Sequence, residues 1–150
     1  MEKNVEDFHE ALGIIYDSIK EEKLNWHLNG SFNLLVQGVD IKARDLDIET
    51  DEKGSGIFKE KLKEFLQEDN YKDDIKAHLL LFDISGVEVE VLAHDDQELS
   101  MINEHKIIKV DDMDIPVLPL EKAWKFYKII GKDDKAEIVS KHLKLFKKMF

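Results

Sequence analysis

The sequence predicts a protein of the α/β class, because segments of helical period alternate with segments of strand period along its 150 residues. Three observations carry this. Apolar residues near the amino terminus recur at three- and four-residue steps, short alternating runs bounded by Gly, Ser or Asp follow, and the carboxy-terminal segment returns to helical spacing. With 43% hydrophobic residues the chain can fill one ordinary core. A single domain over residues 1–150 is therefore expected, with a helical segment from about 119 to 150.

Taken in order, Val5, Phe8, Leu12, Ile15 and Ile19 form one apolar stripe and predict a helix from Val5 to Glu22. Leu24 to Leu28 reads as a short strand around Trp26, and Gly30-Ser31 opens a second helix that Gly38 stops. Asp45 to Thr50 alternates acids with Leu46 and Ile48, as a strand with one acidic and one buried face does. Gly54-Ser55-Gly56 then reads as a chain break before a helix from about Ile57 to Gln67. Strand signals at Ile75–Ile84 and Val87–Leu92, joined at Ser85-Gly86, predict a hairpin. A second hairpin is expected where Ile107–Val110 and Ile115–Leu118 flank Asp111-Asp112-Met113-Asp114. Leu120 to Phe150 reads as helical with a break near Gly131.

Composition excludes several classes of function. Lys and Arg total 22 against 33 Asp and Glu, a net charge of 22 − 33 = −11, so extended nucleic acid is disfavoured as a partner. The absence of cysteine removes disulfides, thiolate metal sites and cysteine nucleophiles. No run approaches the length of a membrane span and the amino terminus, MEKNVEDFHE, lacks a signal-peptide pattern, so a cytoplasmic location is expected.

The chemistry centres on acids. In a strand Asp45 and Asp47 project to the same side, where two carboxylates can converge on a hard cation. Alone, the spacing is weak, since 33 acids in 150 residues give roughly seven acid-x-acid pairs by chance. Gly30-Ser31 supplies context: a residue without Cβ lets a phosphate near the backbone, the following helix presents free N–H groups, and Ser31 adds a hydroxyl. An ordinary helix cap and a solvated edge-strand face are the plain readings of Gly30-Ser31 and of Asp45/Asp47. A calcium loop fails, because counting Asp45 as position one puts Thr50 where Gly is needed and Gly56 where Glu is needed.

Asn29-Gly30-Ser31-Phe32, the helix to Gly38, and Arg44-Asp45-Leu46-Asp47-Ile48 resemble the polymerase-beta-like nucleotidyltransferase superfamily in its compact form, whose motif is Gly-Ser, a short helix, then hydrophobic-Asp-hydrophobic-Asp-hydrophobic. The likeness runs from about Trp26 to Lys135. It implies the nucleotidyltransferase fold, a mixed β-sheet with helices packed against it, and a third carboxylate on a later strand. Val89-Glu90-Val91 has the required form, with Glu88 on the same face as the alternative.

The resemblance further implies that Gly30-Ser31 and magnesium, or manganese, grip a nucleoside triphosphate, ATP by preference, while a hydroxyl of a small molecule or protein attacks the α-phosphorus. Asp45 and Asp47 would hold both of two metal ions; Glu90 would hold the catalytic one and take the acceptor's proton. The alternative is a non-catalytic nucleotide-binding partner of the same fold, such as an antitoxin-like component. A homo-oligomer or a partner protein could complete the site.

The other candidates read as structural. Arg44 faces away from the two acids and suits an ion pair; the Gly54-Ser55-Gly56 loop lacks a P-loop lysine. The His residues at 9, 27, 78, 94, 105 and 142 have no metal spacing. Lys122, Lys125 and Lys128 form a solvated strip, of which Lys128 could reach a triphosphate, and Trp124, Phe126 and Tyr127 have core spacing.

Overall fold

The structure, a computed structural model, describes residues 4–95 and 100–149, with side chains as far as Leu145; Phe150, where the predicted helical segment ends, lies outside the described residues. Along the chain run α1 (Val5–Ile19), β1 (Trp26–Asn29), α2 (Gly30–Val36), β2 (Leu46–Thr50) and α3 (Glu52–Lys61). A 3-10 turn (Lys63–Phe65), β3 (Leu66–Lys72), β4 (Ala77–Ile84), β5 (Val87–His94), β6 (Lys106–Val110), β7 (Met113–Val117), α4 (Leu120–Ile129) and α5 (Asp133–Met149) follow. The strands form one mixed sheet in the order β3-β4-β5-β2-β1-β7-β6, with β2/β5 and β1/β7 parallel and the remaining pairs antiparallel.

The alternation of each central strand decides what its two faces do. Leu46 and Ile48 of β2, Val89 and Val91 of β5, and Leu80 and Phe82 of β4 point to one side, where they pack with Phe8, Leu12 and Ile15 of α1 and Phe58 of α3. Burying this apolar layer is the main driving force for the sheet. The opposite face carries Asp47 and Glu90 and is roofed in part by α4 and α5, which form a second apolar cluster with Leu34, Val39 and Met101.

Local chemistry fixes the ends. Asn4 caps α1 in a capping box: its Oδ1 accepts from Asp7 N–H at 3.0 Å while Asp7 Oδ2 accepts from Asn4 N–H at 3.2 Å. Both predicted hairpins form. Ser85-Gly86 and Asp111-Asp112 take positive φ at both turn residues, the geometry whose twist matches antiparallel strands.

Two expectations are corrected. Gly54-Ser55-Gly56 does not break the chain before a helix at Ile57; it lies inside the first turns of α3, which begins at Glu52 under the cap of Asp51, whose Oδ1 accepts from Gly54 N–H at 2.8 Å. A Cβ at residue 54 would stand 1.8 Å from Thr50 Oγ1, so close helix–strand approach explains that glycine. The helix also ends at Lys61, and Leu66–Lys72 is an edge strand absent from the sequence reading. Five of its seven residues are exposed, so period two carries no apolar signal there.

Candidate active site

β2 lies between β5 and β1, so Asp47 sits at the centre of the sheet and the solvated edge-strand reading fails. In the parallel β2/β5 pair Asp47 stands opposite Glu90. Asp45, just before β2, completes a cluster in which one carboxylate oxygen from each of Asp45, Asp47 and Glu90 lies within 4.8 Å of the others. All three are half-buried. Glu88 is exposed one pleat further out, opposite Asp83, and lies outside the cluster, so geometry selects Glu90. Burial and the charges of Asp45 and Glu90 still push the Glu88 carboxyl upward.

Burial, then the charge of Asp45, then the hydrogen bond and charge of Glu90 hold the Asp47 carboxyl well above its ordinary value, and Lys135 pulls the other way. Asp47 Oδ1 is buried without a hydrogen-bond partner among the described residues. A buried acceptor left open beside two more carboxylates has the chemistry of a divalent-cation ligand, so the three acids fit magnesium or manganese. Among the described residues this is the one acid or histidine group so placed.

Gly30 makes the cluster possible. Its φ is +69°, and a Cβ would fall 2.0 Å from Asp47 Oδ2. The cap of α2 is neither Gly30 nor Ser31 but Asn29, whose Oδ1 accepts from Gly30 N–H at 2.9 Å. Ser31 is buried, and its Oγ accepts from Arg44 N–H at 3.3 Å, tying the segment that carries Asp45 to the helix. The Arg44 side chain is exposed and makes no ion pair among the described residues; only its backbone serves the site. A buried amide anchors α2 from behind: Asn33 Nδ2 donates to Leu118 O at 2.9 Å, and Asn33 Oδ1 accepts from Leu118 N–H at 3.2 Å.

A cavity of about 580 Å³ opens over Asn29, Gly30, Asp47 and Glu90. Leu79 and Leu92 of the sheet line one side; Phe126 and Tyr127 of α4 and Ile130 just after it, with Lys132 and Lys135, line the other. Tyr127 is 2% exposed, its hydroxyl has no partner among the described residues, and burial with the charges of Asp47 and Asp45 pushes its acidity far down. Lys135 Nζ stands 5.7 Å from the Tyr127 ring centroid. Sequence reasoning missed Tyr127, Lys132 and Lys135, since core spacing and charge runs look alike in any helix. Lys128 turns to Asp133 at 3.2 Å instead, and Lys122 to Glu104 at 3.4 Å. Trp124 departs from the core expectation, with 41% of its surface exposed.

Glu49 continues the acidic face of β2 and lines the same cavity, but its carboxylate is committed. Met101 N–H donates to its two oxygens at 3.0 and 3.2 Å, and buried His27 Nε2 lies 3.0 Å from Oε1 without hydrogen-bond alignment.

Comparison with solved structures finds relatives of this fold. A Thermotoga maritima protein assigned as a nucleotidyltransferase matches with a TM-score of 0.77 and 28% identity, over 95% of this chain and 96% of that one. The adenylyltransferase ANT(2'')-Ia, solved with adenylyl-2''-tobramycin, matches at TM-score 0.61 and 11% identity over 93% and 90% of the two chains. The lincosamide antibiotic adenylyltransferase LnuA, solved with lincomycin, gives 0.62 and 12% over 93% and 98%. The last two likenesses speak for the fold. No curated protein is significantly similar in sequence. No helix among the described residues is long and apolar enough to cross a membrane. The sequence model of one family matches residues 11–142, nearly the whole sheet and its helices, and by that match the chain belongs to the aminoglycoside-2''-adenylyltransferase family of nucleotidyltransferases.

Proposed function

We propose that residues 1–150 act as one magnesium-dependent unit that transfers a nucleoside monophosphate from ATP to a hydroxyl of a small molecule. The observation that carries this is the cluster of Asp45, Asp47 and Glu90 around an unpartnered, buried Asp47 oxygen, at the wall of a cavity large enough for a nucleotide. A non-catalytic partner protein would have no use for so costly a group of like charges. ANT(2'')-Ia and LnuA, with tobramycin and lincomycin products or ligands, support a small-molecule acceptor over a protein.

Asp45, Asp47 and Glu90 would hold the magnesium ions, which when bound supply Lewis acidity to the transferring phosphoryl group. The residues of the chain do the rest. Gly30 leaves room for the Asp47 carboxylate beside the backbone, and Ser31 presents its hydroxyl proton, since its oxygen already accepts from Arg44. The acceptor oxygen bonds to the α-phosphorus, the bond to the bridging oxygen breaks, and pyrophosphate leaves with the electron pair. Glu90 receives the acceptor's proton. Phe126 and Ile130 give the cavity part of its apolar wall.

Thermal denaturation tests the reading. ATP is expected to raise the melting temperature only with magnesium or manganese present, by roughly 5 to 10 °C at a free concentration about a hundredfold above Kd. An equal rise in EDTA would sink the proposal. Ser31→Ala is expected to weaken magnesium–ATP binding roughly tenfold, through loss of one donor to an anion, while costing about 1 kcal/mol or less of stability. Titration beside chemical denaturation checks this. Unchanged binding with a larger stability loss would reduce Ser31 to a tether for Arg44.

A further inference from the structure

Tyr127 presents the one feature of the cavity that the acids do not account for. Its ring is fixed, buried in the cluster that joins α4 to α5 and beside Phe126 with ring centroids 6.2 Å apart. Packing alone needs no hydroxyl there, as the neighbouring Phe126 shows, and buried hydroxyls as a rule have partners. This one has none among the described residues, and Tyr127 lines the same cavity as Asp47 and Glu90. The missing partner is then a ligand atom. Lys135 and Lys132 line the wall on the same side, so donors and positive charge face the carboxylates across the cavity. A group held from one side by metal ions on the carboxylates and from the other by these donors and positive charges is an anionic oxygen.

Resting on the nucleotidyltransferase reading, we infer that the Tyr127 hydroxyl donates a hydrogen bond to a phosphate oxygen of the bound nucleoside triphosphate. The two lysines are mobile point charges that attract the polyphosphate without orienting it. Tyr127, held by packing on a helix, supplies a fixed direction and so sets how the chain of phosphates lies across the site. It is a binding residue, not a proton carrier.

The test is calorimetric titration of the parent protein and Tyr127→Phe with three probes in magnesium: a non-hydrolysable ATP analogue, inorganic tripolyphosphate, and adenosine. Tyr127→Phe is expected to lose roughly tenfold or more in affinity for both polyphosphates, since a hydrogen bond to a charged group is lost. Adenosine binding, strong or weak, is expected to be the same in both proteins. The melting temperature without ligand is expected to hold or rise, because the ring stays and an unpartnered polar atom is removed. Unchanged affinity for the ATP analogue would overturn the inference. So would a loss confined to adenosine, or a drop in melting temperature large enough to account for the weaker binding. If the parent protein bound neither polyphosphate, the nucleotide reading itself would fall, and this inference with it.

Discussion

Asp47→Asn is expected to abolish transfer, by roughly a thousandfold or more, while leaving the metal-free protein as stable as the parent or slightly more so. The two effects share one cause. In the metal-free fold three carboxylates crowd within 4.8 Å. At an effective dielectric near 20, unit charges about 5 Å apart repel by roughly 3 kcal/mol before screening. Solvent and salt reduce this to a few tenths to about 1 kcal/mol, which Asn recovers. With metal the same change removes an anionic ligand worth several kcal/mol in the transition state.

The sign of the pH dependence follows from the raised Asp47 carboxyl. A fold that holds the proton more tightly than the unfolded chain gains stability from it at low pH. That gain is lost as pH climbs from the ordinary carboxyl value of 3.8 through the raised one. Metal-free parent protein is thus expected to weaken over this window, and Asp47→Asn to flatten the slope. Asp45→Asn should act in the same direction, since it removes the second-largest cause of the shift. Denaturant unfolding across pH, beside pyrophosphate release, checks both. A steeper slope, or apo destabilisation with activity intact, would make Asp47 part of the scaffold.

Gly30→Ala is expected to damage fold and site together. Its φ of +69° costs a side chain about 1 to 2 kcal/mol, and the new Cβ would lie 2.0 Å from Asp47 Oδ2 and 2.9 Å from Asp47 Cγ. The carboxyl group must swing away, leaving the cluster. Loss of about 1 to 2 kcal/mol in chemical denaturation, with no remaining stabilisation by magnesium–ATP, is the expected result. Gly56→Ala is the control: a Cβ there meets nothing within 4 Å, and in α3 it should add about 0.5 to 1 kcal/mol. Full activity of Gly30→Ala would show that Asp47 need not stand where it does.

Asp45 and Asp47 were legible as a pair because strand alternation puts them on one side with Leu46 and Ile48 on the other, and as a candidate site only because Gly30-Ser31 precedes them as in the nucleotidyltransferase motif they resemble. Glu90 could be narrowed to a pair and no further, since Glu88 shares its face; only the register that sets Asp47 against Glu90 separates them. Tyr127 was illegible for a different reason. A buried aromatic on a helix looks like core, and only the absence of a partner for its hydroxyl reveals a second task. The edge strand Leu66–Lys72 escaped because its charges, which guard the open edge, erase the pattern by which strands are read. Gly54 misled, as a close helix–strand approach and a chain break use the same residue.

The alternation of acids with aliphatics in β2 and β5 has a bearing on assembly of the sheet. Slipping β5 by one residue against β2 would turn Glu88 and Glu90 into the layer now occupied by Val87, Val89 and Val91. Burying unpaired carboxylates among Leu12, Phe58 and Phe82 costs far more than any mispaired backbone ladder returns. The same carboxylates that gather at the cavity therefore act as proofreaders during folding. They reject the wrong alignment of the two parallel strands, which α3, β3 and β4 separate along the chain.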